Sequence, residues 1–262
     1  MITDLFHLQD HVAVVTGASR GIGKGIAISF AQAGAKLVIG SRSEEDLAKV
    51  VDEIESLGGQ AVYVAGSLSE RAGMQQLVDT AVSDFGGVST VVNNVGGSMP
   101  SAFMDTTERA FSDALEWNVK TAFDLIQISA PLLAESGNGS VINIASAAGR
   151  FPSRGFAAYG TAKAAMIQLT IHASLDLAPR IRVNAIAPGA IKTSALDIVL
   201  TNEEIQDAMV SGTPMRRLGE VADITAAALY LASPAASYVT GQILGVDGGI
   251  RSSNFDMGIP DI

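Results

Sequence analysis

Seven short runs of apolar, often β-branched residues, near residues 12–16, 36–40, 61–65, 90–93, 140–144, 182–186 and 242–246, alternate with helical stretches. The helical patterns lie near 22–33, 44–57, 72–85, 108–135, 159–177 and 221–231. Strands separated by helices join in parallel, and a parallel sheet needs cover on both faces. The alternation therefore predicts one α/β domain, a doubly wound seven-stranded parallel sheet with right-handed crossovers. Gly34, Gly58-Gly59 and Gly86-Gly87 close helical stretches just ahead of strands, where a left-handed cap is useful. No change of composition marks a linker, so residues 1–250 are expected to form the domain. Residues 251–262 contain Gly, Pro and Ser without periodicity and are expected to be a C-terminal tail, either a frayed end or an arm to a neighbouring subunit.

A chain of 262 residues with 48% hydrophobic content is long enough for one large core. It contains no cysteine, and its three histidines, His7, His11 and His172, are too scattered for a metal cluster, so no metal is expected. The first ten residues hold two acids and no basic segment, and no apolar run reaches membrane-spanning length. A soluble cytoplasmic protein is the expectation. The net charge of −10 opposes general attraction to nucleic acid or to an anionic membrane. Neither partner is expected, and an anionic ligand must be held by local groups.

One such place follows the first strand. Residues 12–16 run into Gly17, Ser19, Arg20, Gly21, Ile22 and Gly23 and then into a helix. Bare backbone there can approach a pyrophosphate at the helix N-terminus, where N–H groups and the dipole favour an anion. The spacing predicts dinucleotide binding. At the end of the second strand an acid would hold free ribose hydroxyls, yet Ser41 and Arg42 stand there. Arg42 and Arg20 offer two guanidinium groups for a 2′-phosphate, so NADP(H) is expected over NAD(H).

A second cluster lies further on. Tyr159 and Lys163 are four residues apart on one helical face, and Ser146 follows the fifth strand run, at the edge of the sheet where ligands bind in open α/β folds. A phenol with a reference pKa of about 10 exchanges protons near neutrality only with help from positive charge. Lys163 can supply that charge. Ser146 can donate a hydrogen bond to a carbonyl oxygen as negative charge develops on it. These residues predict proton transfer by Tyr159, coupled to hydride transfer between a nicotinamide and a carbonyl or alcohol.

Residues 16–23, Asn93-Asn94-Val95-Gly96, Ser146, Tyr159 with Lys163, and Pro188-Gly189 resemble, in order and spacing, the short-chain dehydrogenase/reductase family over residues 8–250. The resemblance implies a Rossmann fold, Tyr159 as general acid/base, Lys163 lowering its pKa and binding the nicotinamide ribose, and Ser146 positioning the substrate. It implies that Asn118 holds a water in the proton relay and that Asn94 and Gly96 lie along the cofactor. Pro188, Gly189, Ile191 and Thr193 would border the nicotinamide, and Asn93 would brace neighbouring strands. By the same resemblance a homotetramer forms through the helices at 108–135 and 159–177 and the final helix and strand.

Two positions depart from the family pattern. Val95 stands where Ala is usual, which places extra methyls beside the cofactor. Ser67 stands where an Asp often binds adenine, leaving Ser67 and the backbone of Leu68 for that contact. Residues 97–104 and 194–215 offer Met, Phe, Leu and Ile for an apolar substrate pocket, suited to a moderately hydrophobic ketone or secondary alcohol. The chain is also similar to bacterial hydroxysteroid dehydrogenases and 3-oxoacyl carrier-protein reductases. Reduction of a 3-oxoacyl thioester, and a non-catalytic NADP(H)-binding sensor, are the alternatives.

Overall fold

The computed structural model describes residues 1–194, 196 and 201–254. The seven strands are β1 (Val12–Thr16), β2 (Lys36–Ser41), β3 (Gln60–Ala65), β4 (Thr90–Asn93), β5 (Gly139–Ile144), β6 (Ile181–Pro188) and β7 (Ile243–Val246). All pairings are parallel, in the order β3-β2-β1-β4-β5-β6-β7. The chain winds outward from β1 in one direction and from β4 in the other, which opens a crevice above their C-terminal ends.

Side chains alternate between two cores. Val15, Ile39 and Ile142 point to one face, under α1 (Gly21–Gln32), α2 (Glu44–Ser56) and a late helix at Val221–Ala232. Val14, Val38 and Val141 point to the other, under α3 (Arg71–Phe85) and α5 (Thr121–Glu135). Because both faces are buried at the centre of the sheet, the inner strands read as continuous apolar runs; β1 is buried along its whole length, while the edge strands β3 and β7 are only partly buried. Each fully buried Leu or Ile contributes about 1.5–3 kcal/mol of transfer free energy.

The expected helix over 108–135 is not continuous. It divides into α4 (Glu108–Leu115), a π-helical turn at Glu116–Lys120, and α5. The turn is closed by a bond from the Thr121 N–H to the Glu116 carbonyl, and it carries Asn118. After it come α6 (Ala157–Asp176) and α7 (Glu203–Gly212), and the late helix at Val221–Ala232 is α8. The helix α7 falls inside the segment expected to line the pocket. It has a readable start, since the Asn202 side chain accepts from the Ile205 N–H and Glu203 and Glu204 occupy the first turn. Residues 195 and 197–200 of that segment, and 255–262 of the expected tail, lie outside the described residues. Among the described residues, no helix is long and apolar enough to cross a membrane and no metal-binding cluster occurs.

Candidate active site

The crevice above β1 and β4 is a cavity of about 680 Å³. Its floor begins at the turn after β1. Gly17 and Gly21 have φ of +65° and +55°, and a Cβ on Gly23 would lie 2.4 Å from the Gly17 carbonyl oxygen. Only glycine lets the first turn of α1 close this tightly on the strand end. Asn94 braces the same turn, with Nδ2 donating to the carbonyls of Thr16 and Gly17 at 3.0 Å each. No acid stands in the first turn of α1, so the helix end presents its N–H groups and dipole to an anion.

At the end of β2 the Ser41 hydroxyl donates to Ser19 at 2.9 Å and joins the strand end to the glycine turn. Ser41, Arg42, Ser19, Arg20, Gly21 and Ile22 all line the cavity, and so does Leu68. Ser67 does not; its hydroxyl pairs with Ser69 at 2.7 Å. Gly23 is buried beneath the turn and lines nothing itself. Val95 does line the cavity, and Asn93 braces strands by donating to Asn143 at 2.8 Å.

Ser146, Tyr159 and Lys163 meet on the opposite side. Ser146 ends the extension of β5 and caps a short turn, accepting from the Ala148 N–H at 3.1 Å. That turn lies directly on α6, because a Cβ on Gly149 would fall 2.6 Å from the Lys163 carbonyl carbon. The close approach sets Ser146 and Tyr159 in the same cavity wall, with Ser146 acting to lower the Tyr159 pKa. Lys163, 3% exposed, donates to the Ile144 carbonyl at 2.8 Å, with its Nζ 5.8 Å from the Tyr159 ring centre.

Burial dominates the electrostatics. It raises the Tyr159 pKa above the ordinary 10, while the Ser146 hydroxyl draws it back. Burial also lowers Lys163 from 10.5 to about 8. At neutral pH the residues of this chain therefore hold Tyr159 as a phenol, ready to donate a proton, beside a charged Lys163.

Asn118 lies behind this group, fully buried and outside the cavity lining. Its Oδ1 accepts from the Gly97 N–H at 2.9 Å, and its Nδ2 donates to the carbonyls of Gly97 and Ala114 at 3.0 and 2.8 Å. Both amide N–H groups are thus committed to backbone. Gly96 sits between Asn118 and Lys163, as a Cβ there would be 2.5 Å from the first side chain and 2.9 Å from the second. Pro188, Gly189, Ile191 and Thr193, at and after the end of β6, complete the wall.

The remaining lining is mainly apolar. Met99, Trp117, Phe151, Phe156 and Met209 line it, together with Ser153 and, from the chain's last described residues, Ile250, Ser253 and Asn254. Met99 and Met209 fall within the segments expected to line a pocket. Phe151, Ser153 and Phe156 carry no distinguishing local pattern, although their position just after Ser146 was a usable signal. The last three carry none.

Comparison with known proteins identifies the family. A family model described as enoyl-(acyl carrier protein) reductase matches residues 17–251. An uncharacterized oxidoreductase of Mycobacterium tuberculosis is 52% identical over 100% of both chains. The 7alpha-hydroxysteroid dehydrogenase of Escherichia coli K12 is 44% identical, over 94% of this chain and 96% of its own. A solved 7alpha-hydroxysteroid dehydrogenase in complex with NADH and 7-oxo glycochenodeoxycholic acid superposes with a TM-score of 0.92 at 42% identity, covering 96% of this chain and 98% of its own. The sheet, the glycine turn and the extent of these matches place the chain in the short-chain dehydrogenase/reductase family of oxidoreductases.

Proposed function

We propose that the protein is an NADP(H)-dependent oxidoreductase that interconverts a ketone and a secondary alcohol on a moderately hydrophobic small molecule. One observation carries the reading: Ser146, Tyr159 and Lys163 share a single cavity with the glycine turn after β1. The cradle at Gly17, Gly21 and Gly23 fits a pyrophosphate, because a side chain at Gly23 would fill the turn against backbone. Ser19, Arg20 and Ile22 would extend that contact, and Ser41 and Arg42 would hold the adenosine ribose, with Arg42 and Arg20 available to a 2′-phosphate. Leu68 would lie along the adenine, while Asn94, Gly96, Pro188, Gly189, Ile191 and Thr193, which line the same cavity, would border the nicotinamide half. A bound nicotinamide supplies the hydride in reduction and accepts it in oxidation.

The chain's own groups manage the proton. Tyr159, kept protonated by burial, donates to the carbonyl oxygen of a ketone during reduction and accepts the proton back in oxidation. Ser146 hydrogen-bonds the same oxygen and stabilises the charge that develops on it. Lys163 keeps a positive charge near Tyr159, which limits the cost of the transient phenolate, and holds the nicotinamide ribose. Asn118 fixes the Gly96–Gly97 backbone against Lys163 and so contributes to the proton relay through position.

Arg42 supports NADP(H), although the solved hydroxysteroid dehydrogenase contains NADH. That relative also makes ketosteroids a sensible substrate class to test. Reduction of 3-oxoacyl thioesters is the second reading, favoured by the 33% identity, over 93% of this chain, to a 3-oxoacyl-[acyl-carrier-protein] reductase of Thermotoga maritima. Initial rates of NADPH and NADH oxidation across ketones, diketones, ketosteroids and 3-oxoacyl thioesters, run beside Tyr159→Phe, test the assignment. Turnover lost in Tyr159→Phe supports it; bound NADPH with no turnover on any class favours a sensing protein. For assembly we propose a homotetramer through α4, α5, α6, α8 and β7, supported by Phe111 and Phe123, which α4 and α5 leave 38% and 46% exposed.

A further inference from the structure

After β7 the chain turns at Gly248 and Gly249 against residues 213–215, where the Met215 N–H donates to the Gly248 carbonyl at 3.1 Å. Ile250 is then buried, with 6% exposure, and lines the cavity. Two polar anchors follow. The Ser253 hydroxyl donates to Ser153 at 2.9 Å, reaching the loop that begins at Ser146. Asn254 Nδ2 donates to the Met209 carbonyl at 3.2 Å and to the Thr213 Oγ1 at 2.9 Å, at the C-terminal end of α7. Thr213, itself 4% exposed, donates in turn to the Met209 carbonyl at 2.7 Å. Ser153, Met209, Ile250, Ser253 and Asn254 line the same cavity as Tyr159.

A frayed end makes no such contacts, since each ordered residue loses about 1–2 kcal/mol of backbone entropy that something must offset. Here the offset comes from side chains that bridge the Ser146 loop and α7. We propose that residues 250–254 form a specificity wall of the substrate compartment, with Asn254 as a positioning residue that holds Met209 against the cavity. The inference rests on the ketone-reductase reading of that cavity. The wall offers an apolar side chain at Ile250, a hydroxyl pair at Ser153–Ser253 and an amide at Asn254. It therefore suits an extended, apolar carbonyl compound whose end remote from the carbonyl is uncharged and hydrogen-bonding.

The test compares the full chain with Asn254→Asp, Thr213→Val and Thr213→Ser, using ω-hydroxy ketones of increasing length and amide hydrogen exchange across α7. Asn254→Asp keeps the shape and removes the donor; Thr213→Val removes the acceptor, and Thr213→Ser restores it. Expected is a rise of about fivefold in KM for the longest ketones in Asn254→Asp and Thr213→Val, the equivalent of one hydrogen bond, with kcat changed less than KM. Faster exchange at residues 209–213 should accompany it, and Thr213→Ser should reverse both. Unaltered KM along the series, or unaltered exchange in both disruptive variants, overturns the proposal. A wild-type protein that reduces no ketone overturns the ketone-reductase reading instead, and exchange at 209–213 then decides the anchoring by itself.

Discussion

The side chain of Asn118 and the backbone of Gly97 form a reciprocal pair, the Gly97 N–H donating to Oδ1 at 2.9 Å and Nδ2 donating to the Gly97 carbonyl at 3.0 Å. This pair links the π-helical turn between α4 and α5 to the strand-end loop that borders Lys163. Asn118→Ala would orphan backbone groups of Gly97 and Ala114, at about 1–3 kcal/mol for each that stays buried and unpaired. A fall of several degrees in Tm is expected, along with a drop of about tenfold or more in kcat from displacement of Gly96. Thermal melts beside single-turnover rates check both; a variant as stable and as fast as wild type removes the bracing role.

Lys163 sets the alkaline limit of reduction. With its pKa pushed down to about 8 by burial, it loses charge before Tyr159, whose pKa burial raises. The kcat/KM for ketone reduction should hold through neutral pH and fall as pH rises past about 8, and Lys163→Met should lose this dependence together with most activity. Stability moves the other way. Below about 8 both folded and unfolded chains carry the Lys163 proton, and the cost of burying the charge is present in full. Between about 8 and 10.5 the unfolded chain binds more of it, so this residue's contribution to folded-state stability improves with pH. A rate profile with no limb near pH 8 would remove the assignment.

Cofactor choice turns on Arg42. Ser41 and Ser19 tie its strand end to the glycine turn, and both Arg42 and Arg20 line the cavity. A charge-assisted hydrogen bond contributes about 1.5–3 kcal/mol, roughly a factor of ten to a hundred in affinity. Arg42→Asp should therefore shift the ratio of kcat/KM for NADPH over NADH by at least about tenfold toward NADH. An unchanged ratio would leave the 2′-phosphate reading without its main support.

The parts of this structure that were legible in the sequence are those encoded locally. β1, β2, β4, β5 and β6 stand out because strands buried on both faces need continuous apolar runs, the edge strands β3 and β7 by their apolar residues between turns, and Tyr159 and Lys163 because four residues make one helical turn. The π-helical turn is not legible in the sequence because its extra residue leaves the side-chain pattern of the helix nearly intact on either side. For α7 the signal was present in Asn202 followed by Glu203 and Glu204, but it was short. The cavity wall at Ser253 and Asn254 had no local signal, since its partners lie 100, 45 and 41 residues away.

His11 confers acid sensitivity at the far end of the sheet. It is buried at the start of β1, with Nδ1 paired to Thr90 at 3.1 Å and Nε2 to Asn138 at 2.9 Å. Burial chiefly, and Arg182 next, hold its pKa below 6.5, against a smaller opposing effect of Asp10. As pH falls below 6.5 the unfolded chain takes up this proton first, so stability falls, and the loss is complete below the folded-state pKa. His11→Gln should lose less Tm than wild type between about pH 7.5 and 5.5. An equal loss in both would assign the acid sensitivity to other groups.

Gly23 offers a test of the cofactor cradle that leaves the proton-transfer residues alone. A methyl group there would sit 2.4 Å from the Gly17 carbonyl oxygen, 2.9 Å from the Gly17 carbonyl carbon and 2.5 Å from Asn94 Nδ2. None of these can yield cheaply. The first two are backbone of the turn, and Asn94 is held by its bonds to Thr16 and Gly17. Gly23→Ala must therefore move the turn off the first turn of α1 and spread the N–H groups meant for the pyrophosphate. The Kd for NADPH, measured by fluorescence titration, should rise by about tenfold or more, the loss of roughly one charge-assisted hydrogen bond. Ser146 and Tyr159 stand on the loop after β5 and on α6, away from this turn, so substrate that still reacts at saturating NADPH should do so with kcat reduced much less than affinity. Cofactor affinity equal to wild type in this variant would mean that the turn after β1 does not hold the pyrophosphate.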